Sequence, residues 1–473
     1  VSGDDAGHDR WSSPQGNVTG LGIIASYSAR FWTLVIGLGA VAGLSAGLLV
    51  LLLRLVERLS YGVHRHTLLM SVQAAPSWRR VVALMVAAVI VVSALWLFGR
   101  RPSGGTEVSE GLWLHSGTLD LFPSLTRAIL SIITVGMGVS LGREAAPQVF
   151  GAAFASRASE WAKLPVWQRR LLVASGAGAG FGAVYNVPLG GALFALEVLL
   201  GSLALALVLP ALLMSLTATA VAWIFLGHGT LYHVTADKFR LSQLMFAIIM
   251  GPIIGLVATG WTLLIGAANR HRPTGKWKWF APFLAFAALG LLSLQYPQLL
   301  GNGRGIVQLA IIGNISLGLL LVLLVLKPLV TAACLASGSP GGLFTPTFAV
   351  GVLLAGAAGS AWGHLWHGSV PGDYALIGGG AFLAAAMQGP LSGVVLILEL
   401  TGHMNALMVP TLVAVVEATI LSRKLGAASI YSARLASGAV AGNSPTAEAA
   451  SAASIDSLDE AFPADPGPLP DRR

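Results

Sequence analysis

Between Phe31 and Leu421 the chain is one long succession of apolar runs, and that pattern constrains its fold more than any other feature. The runs cover roughly 31–53, 81–98, 126–140, 189–225, 244–266, 279–295, 315–336, 346–362, 374–400 and 405–421. At about 20 residues per full span, they predict about ten to twelve membrane helices. Charge agrees. Only 10% of the 473 residues are charged, against 55% hydrophobic, and a soluble domain carries about 25% charged residues. The reading is an all-α polytopic membrane protein. Several runs are short and end in Gly or Pro, and irregular backbone at membrane depth is tolerated only where it is buried in protein or lines a watery cavity.

Other totals remove options. The single cysteine, Cys334, excludes a disulfide framework or a cysteine metal cluster, and the histidines His115, His364 and His367 have no metal-ligand spacing. No metal and no cofactor are expected. The net charge of +8 sits in short clusters between apolar runs, such as Arg79-Arg80, Arg169-Arg170 and Arg423-Lys424. Membrane-flanking loops have that pattern, and no nucleic-acid partner is needed. No HExxH motif, serine–histidine pair or aspartate pair suggests an intramembrane enzyme. An organic-substrate carrier would want several convergent polar side chains, and the sequence offers few.

Residues 1–30 read as a polar N-terminal segment without a tripartite secretory signal. Residues 435–473 hold six acidic side chains and two arginines, a net of −4 that leaves +12 on the rest. They read as a disordered tail with no regulatory domain. Between them lie two alike halves, 31–230 and 231–434. At a constant offset of 202, Pro188, Leu189, Gly191, Leu196 and Glu197 match Pro390, Leu391, Gly393, Leu398 and Glu399. At an offset of 212, Gly39, Gly43 and Leu44 match Gly251, Gly255 and Leu256. Paired repeats with broken helices place transporter sites near the bilayer midplane.

Two breaks carry the chemistry. Gly142-Arg143-Glu144-Ala145-Ala146-Pro147 puts two charges between apolar runs, and a charge at bilayer depth costs about 2.5–3.5 kcal/mol on insertion scales unless paired or used. A solvated loop is the bland alternative. The second break is Gly338-Ser339-Pro340-Gly341-Gly342-Leu343-Phe344-Thr345-Pro346. The helices that follow would present free N–H groups and about half a positive charge each, a weak cradle for an anion without a full cation. Lys327, inside its apolar run, reads as snorkelling to an interface or pairing with an acid. Gly176, Gly178 and Gly180 fail the dinucleotide-loop register and read as close-packing positions.

These residues resemble the CLC family of chloride channels and chloride/proton exchangers, and look closest to its bacterial ClcB-type branch. GREAAPQ at 142–148, GSPGGLFTP at 338–346, the paired segments at 188–197 and 390–399, and Tyr431 in ASIYSAR occur in that family's order. The resemblance covers about residues 30–435. It implies two inverted-topology repeats of helices, many short, tilted or broken, and a homodimer in the lipid of a bacterial inner membrane, with one anion path per subunit and both termini cytoplasmic. It implies Glu144 as a gating carboxylate that competes with chloride, the transported ligand. Leu343 and Phe344 N–H groups with the Tyr431 hydroxyl would hold a central chloride, and backbone around Gly142, Arg143 and Ala145 would line an outer site. The chain departs from the family pattern in three places. Gly104 falls where the central serine belongs, Ala145 replaces a glycine, and Val198 stands at the proton-passing glutamate. Valine carries no proton, which favours a voltage- or pH-gated channel over a chloride/proton antiporter. Neighbouring Glu197 has its counterpart in Glu399 and reads as a duplicated structural hydrogen bond rather than a relay.

Overall fold

The computed structural model describes residues 27–62, 67–98, 107–232, 234, 239–366, 370–402 and 407–435. The N-terminal segment to residue 26, Gly104 and the tail from 436 lie outside the described residues. Within them the chain is helical and carries no strand, only one isolated bridge, Gly142 to Gly342. The first half runs α1 (Ala29–Tyr61), α2 (Leu68–Ala74), α3 (Ser77–Phe98), α4 (Val108–Leu114), α5 (Leu121–Gly136), α6 (Ala145–Trp161), α7 (Val166–Tyr185), α8 (Pro188–Leu193) and α9 (Leu205–Leu226). The second runs α10 (Leu241–Arg270), α11 (Trp277–Gln295), α12 (Arg304–Ile311), α13 (Leu317–Ala336), α14 (Phe344–Leu365), α15 (Pro371–Met387), α16 (Pro390–Thr401) and α17 (Met408–Lys424). Apart from α2, each first-half helix has a counterpart in the same order.

The packing repeats with the order. Helix α6 lies along α7 as α14 lies along α15, and α1 packs on α9 as α10 packs on α17. The Gly43 and Gly255 pair seen in the sequence has one cause. A Cβ on Gly43 would run into the Ala218 carbonyl, and one on Gly255 into the Ala418 carbonyl. Small residues at these points let two helix backbones touch.

Among the described residues seven helices, α1, α3, α9, α10, α11, α13 and α14, are long and apolar enough to cross a bilayer. The remaining expected spans are shorter. Helices α5 and α16 are apolar but below full span length, and α8 continues into a π-helical turn over Phe194–Leu200. The apolar window of α14 is 78% buried, whereas those of α3 and α11 are 33% and 28% buried. So α14 is a central element, and α3 turns Val82, Val86 and Val89, and α11 turns Phe280, Leu284 and Leu291, outward to lipid. The molecule is an integral membrane protein whose two broken segments meet in its interior.

Candidate functional site

The breaks before α6 and α14 are joined backbone to backbone. Gly142 N–H donates to the Gly342 carbonyl at 2.7 Å, and Gly342 N–H donates to the Gly142 carbonyl at 2.8 Å. This reciprocal pair brings the N-termini of a 17-residue and a 22-residue helix to one place. Both glycines are required by what lies between them. A Cβ on either would collide with the Glu144 carboxylate.

Glu144, which caps α6, is 1% exposed. It is not a solvated loop residue. Its Oε1 accepts the Phe344 backbone N–H at 2.7 Å, at the first turn of α14. Its Oε2 accepts the Tyr185 hydroxyl at 3.0 Å and the Thr345 hydroxyl at 3.4 Å. Tyr185 and Thr345 hydroxyls are 2.7 Å apart. All these donors are neutral. Hydrogen bonds to a charged acceptor contribute about 1.5–3 kcal/mol each, and two helix N-termini add favourable potential. The carboxylate therefore occupies the donor that an anion would use, held firmly but without an ion pair.

Tyr185 ends α7, which Asn186 terminates in a left-handed conformation at φ 58°. Helix α7 comes this close because its glycines face neighbouring backbone: Gly176 meets the Gly151 carbonyl and Gly180 meets the Pro147 carbonyl of α6. The close-packing expectation for these glycines thus has a site-building consequence. The ring of Phe344 packs edge-on against Phe181 at 4.7 Å, which fixes the start of α14 against α7.

Two cavities approach Glu144 from different sides. The larger, about 480 Å³, is lined by Arg54, Glu57, Arg143, Tyr185, Asn302 and Arg304 among others. The smaller, about 50 Å³, is lined by Glu107, Arg127, Glu144, Gln148, Leu343, Tyr431 and their neighbours. Tyr185 belongs to one lining and Glu144 to the other, so their hydrogen bond is the partition. The larger cavity has more basic than acidic side chains in its lining; in the smaller, Glu107 bridges Arg127 at 2.7 Å and Arg434 at 2.8 Å. Burial alone would raise the Glu107 pKa, but the charges of Arg434, Arg127 and Arg272 outweigh it and hold the carboxyl below its usual range.

The sequence-derived residues distribute as follows. Glu144, Ala145, Leu343 and Tyr431 line the smaller cavity, and Arg143 lines the larger, its guanidinium 5.3 Å from the centre of the Tyr185 ring. The Gly142 N–H is engaged by Gly342, so this residue contributes room rather than a free donor. The Tyr431 ring packs on Phe194 at 5.3 Å, and its buried hydroxyl has no partner. Gly104 lies outside the described residues; Ser109, five positions on, lines the smaller cavity.

Glu197 and Glu399 make matching contacts across the halves. Glu197 accepts the N–H groups of Leu391 at 3.1 Å and Ser392 at 2.6 Å, and Glu399 accepts those of Leu189 at 3.0 Å and Gly190 at 2.6 Å. Each carboxylate caps the N-terminus of the other half's short helix. Val198 packs against Gly389.

Lys327 corrects both sequence readings. It is fully buried, so it does not snorkel, and its bonds are to neutral oxygens rather than to an acid. Nζ donates to Ser140 Oγ at 2.8 Å, the Gly301 carbonyl at 2.7 Å and the Leu299 carbonyl at 3.1 Å. It ties the segment leading to Glu144 to the turn before α12. The sequence reading also passed over Tyr185, Thr345, Gln148 and the Glu107–Arg127–Arg434 cluster. Thr345 stood inside a quoted motif; Tyr185 had only its place beside the first repeat segment as a signal.

With this geometry established, comparison with known proteins identifies the class. The family described as voltage gated chloride channel matches residues 84–423, and the chain belongs to that family. Among similar proteins, the voltage-gated ClC-type chloride channel ClcB of Salmonella typhi is 30% identical over 408 residues, covering 83% of this chain and 96% of that protein. The H(+)/Cl(-) exchange transporter ClcA of Cronobacter sakazakii is 31% identical over 332 residues, covering 64% of this chain and 67% of that protein. The crystal structure of a slow cyanobacterial Cl-/H+ antiporter superposes with a TM-score of 0.75 at 23% identity, covering 86% of this chain and 97% of that one. That likeness establishes the fold, a CLC-type arrangement of two inverted-topology repeats, as the sequence led one to expect. The similar proteins include a channel and an exchanger, so kinship alone does not choose between them.

Proposed function

We propose that the chain conducts chloride passively across a bacterial inner membrane through a path gated by Glu144. The observation that carries this reading is the Glu144 carboxylate resting on the Phe344 amide between two cavities. A carboxylate there mimics the anion it displaces; once protonated it no longer competes, and the amide becomes free for chloride. Leu343, Phe344 and Tyr431 then hold the ion on one side, and Arg143 and Arg304 attract it on the other. The cationic lining raises local anion concentration without binding it tightly at the gate.

Passive conduction is favoured because Glu197 is engaged by two backbone amides and Val198 beside it holds no proton. One observation favours the antiporter alternative: a second acid, Glu107, lines the same cavity as Glu144. Its arginine partners keep it ionised at neutral pH, which makes it a poor proton carrier there.

In this reading two copies form a homodimer in lipid, each with its own path, and both termini and the smaller cavity face the cytoplasm. The protein is not an enzyme and works without a cofactor. The test is purified protein in liposomes, with chloride efflux and reversal potential recorded under a proton gradient. Efflux with a reversal potential that ignores pH at fixed chloride supports the channel. A pH-dependent shift refutes it in favour of exchange, and silence after proper reconstitution refutes chloride transport altogether.

A further inference from the structure

The smaller cavity contains a buried amide to which nothing above gives a role. Gln148 is 6% exposed and lies four residues after Glu144, on the same face of α6. It lines the cavity of about 50 Å³ together with Glu144 and Tyr431. Its Nε2 has no hydrogen-bond partner, and neither has the Tyr431 hydroxyl nor the Ser131 hydroxyl on the same lining. Buried donors in native proteins are almost always paired, so these three groups, with the Arg434 Nε that is also unpaired on this lining, share a cause.

We propose that the Gln148 side-chain amide is a ligand of the permeant anion in this cavity and helps set which anion is preferred. The inference rests on the anion-path reading and extends it. An amide nitrogen is purely a donor. When the Glu144 carboxylate leaves, the Phe344 N–H joins the amide and the two hydroxyls, giving a set of neutral donors beside the Arg127 and Arg434 guanidiniums of the same lining. That set fits a small monovalent anion. The space, about 50 Å³, is roomy enough to admit a small inorganic ion. The two N–H groups of the Gln148 amide lie in one plane, so the amide can bridge two oxygens of a planar oxyanion as well as touch a halide.

The test uses the full chain, purified and titrated calorimetrically with sodium chloride and sodium nitrate, with liposome flux in parallel. Gln148→Met is expected to bind chloride about tenfold more weakly than wild type and to lose proportionally more nitrate affinity. Gln148→Glu places a near-isosteric carboxylate beside Glu144, Glu107, Arg127 and Arg434. It is expected to abolish binding at pH 7.5 and to recover it towards pH 5, relative to wild type at each pH, because the protonated carboxyl donates again. A merely structural role would not produce that recovery. Wild-type affinity and an unchanged chloride-to-nitrate ratio in either folded variant overturn the assignment. A wild type that neither binds nor moves chloride overturns the anion-path reading first, and this inference with it.

Discussion

The Glu144 carboxylate accepts the backbone N–H of Phe344 at 2.7 Å, although 200 residues separate them in the chain. One residue starts a helix of the first half and the other a helix of the second. The carboxylate held there also accepts the Tyr185 hydroxyl, the bond that separates two cavities, and the most direct expectations concern what happens when it is altered.

Replacing the carboxylate by an amide removes both its charge and its titration. In Glu144→Gln, chloride efflux from liposomes is expected to become independent of pH, whereas wild-type efflux rises as pH falls and the carboxylate is neutralised. Matching flux–pH curves for the two proteins would remove Glu144 from the gate.

Tyr185→Phe deletes one of the neutral donors that hold the closed arrangement, the hydroxyl 3.0 Å from Oε2. Losing a hydrogen bond to a charged group is worth about 1.5–3 kcal/mol, so the plug is easier to displace. Efflux at neutral pH should rise about tenfold in the same assay. Equal or slower efflux would mean that the tyrosine aids the ion and not the plug.

Glu197→Gln and Glu399→Gln each weaken two hydrogen bonds to the N-terminus of the facing short helix. Both should lose about 1–3 kcal/mol of stability, seen as similar drops in thermal midpoint in detergent, with reversal potentials unchanged. A selective effect of Glu197→Gln on proton movement would instead assign it to a relay.

Glu107 gives a prediction with a defined sign in pH. Its folded-state pKa lies below the ordinary value of 4.5. Its pairing with Arg127 and Arg434 therefore stabilises the protein above the unfolded carboxyl pKa, and this contribution disappears as pH falls through the lower folded value. Glu107→Gln should cost on the order of 1 kcal/mol at pH 7, as expected for a partly exposed pair. The gap to wild type in thermal midpoint should close below about pH 4. A gap of the same size at both pH values would show that lost packing, not charge, is responsible.

Much of this arrangement was legible in the sequence because some residues are conspicuous against an apolar background. Glu144 stands out since ionised groups are costly at bilayer depth, and Gly142 and Gly342 since only tight backbone needs glycine there. The Glu197 and Glu399 match was visible at a constant offset. Tyr185 gave little signal: an aromatic residue ending a Gly-rich helix looks like core, and only the packing of α7 on α6 turns its hydroxyl onto a carboxylate 41 residues upstream. Lys327 misled because a lone lysine in an apolar run suggests an interface or an acid. The chain instead folds two carbonyls and a serine around it, contacts set by turns 26 to 187 residues away.

The sequence by itself determined the membrane class, the two alike halves, the family and the carboxylate at the break, since these depend on composition, periodicity and local backbone demands. Only the tertiary structure decided which donors hold that carboxylate, that its bond to Tyr185 stands between two cavities, and that buried Gln148 and Tyr431 face one small space. The physical reason is that hydrogen bonds across a pseudo-symmetric interior join residues far apart in the chain, and their partners are chosen by how helices pack rather than by any local pattern.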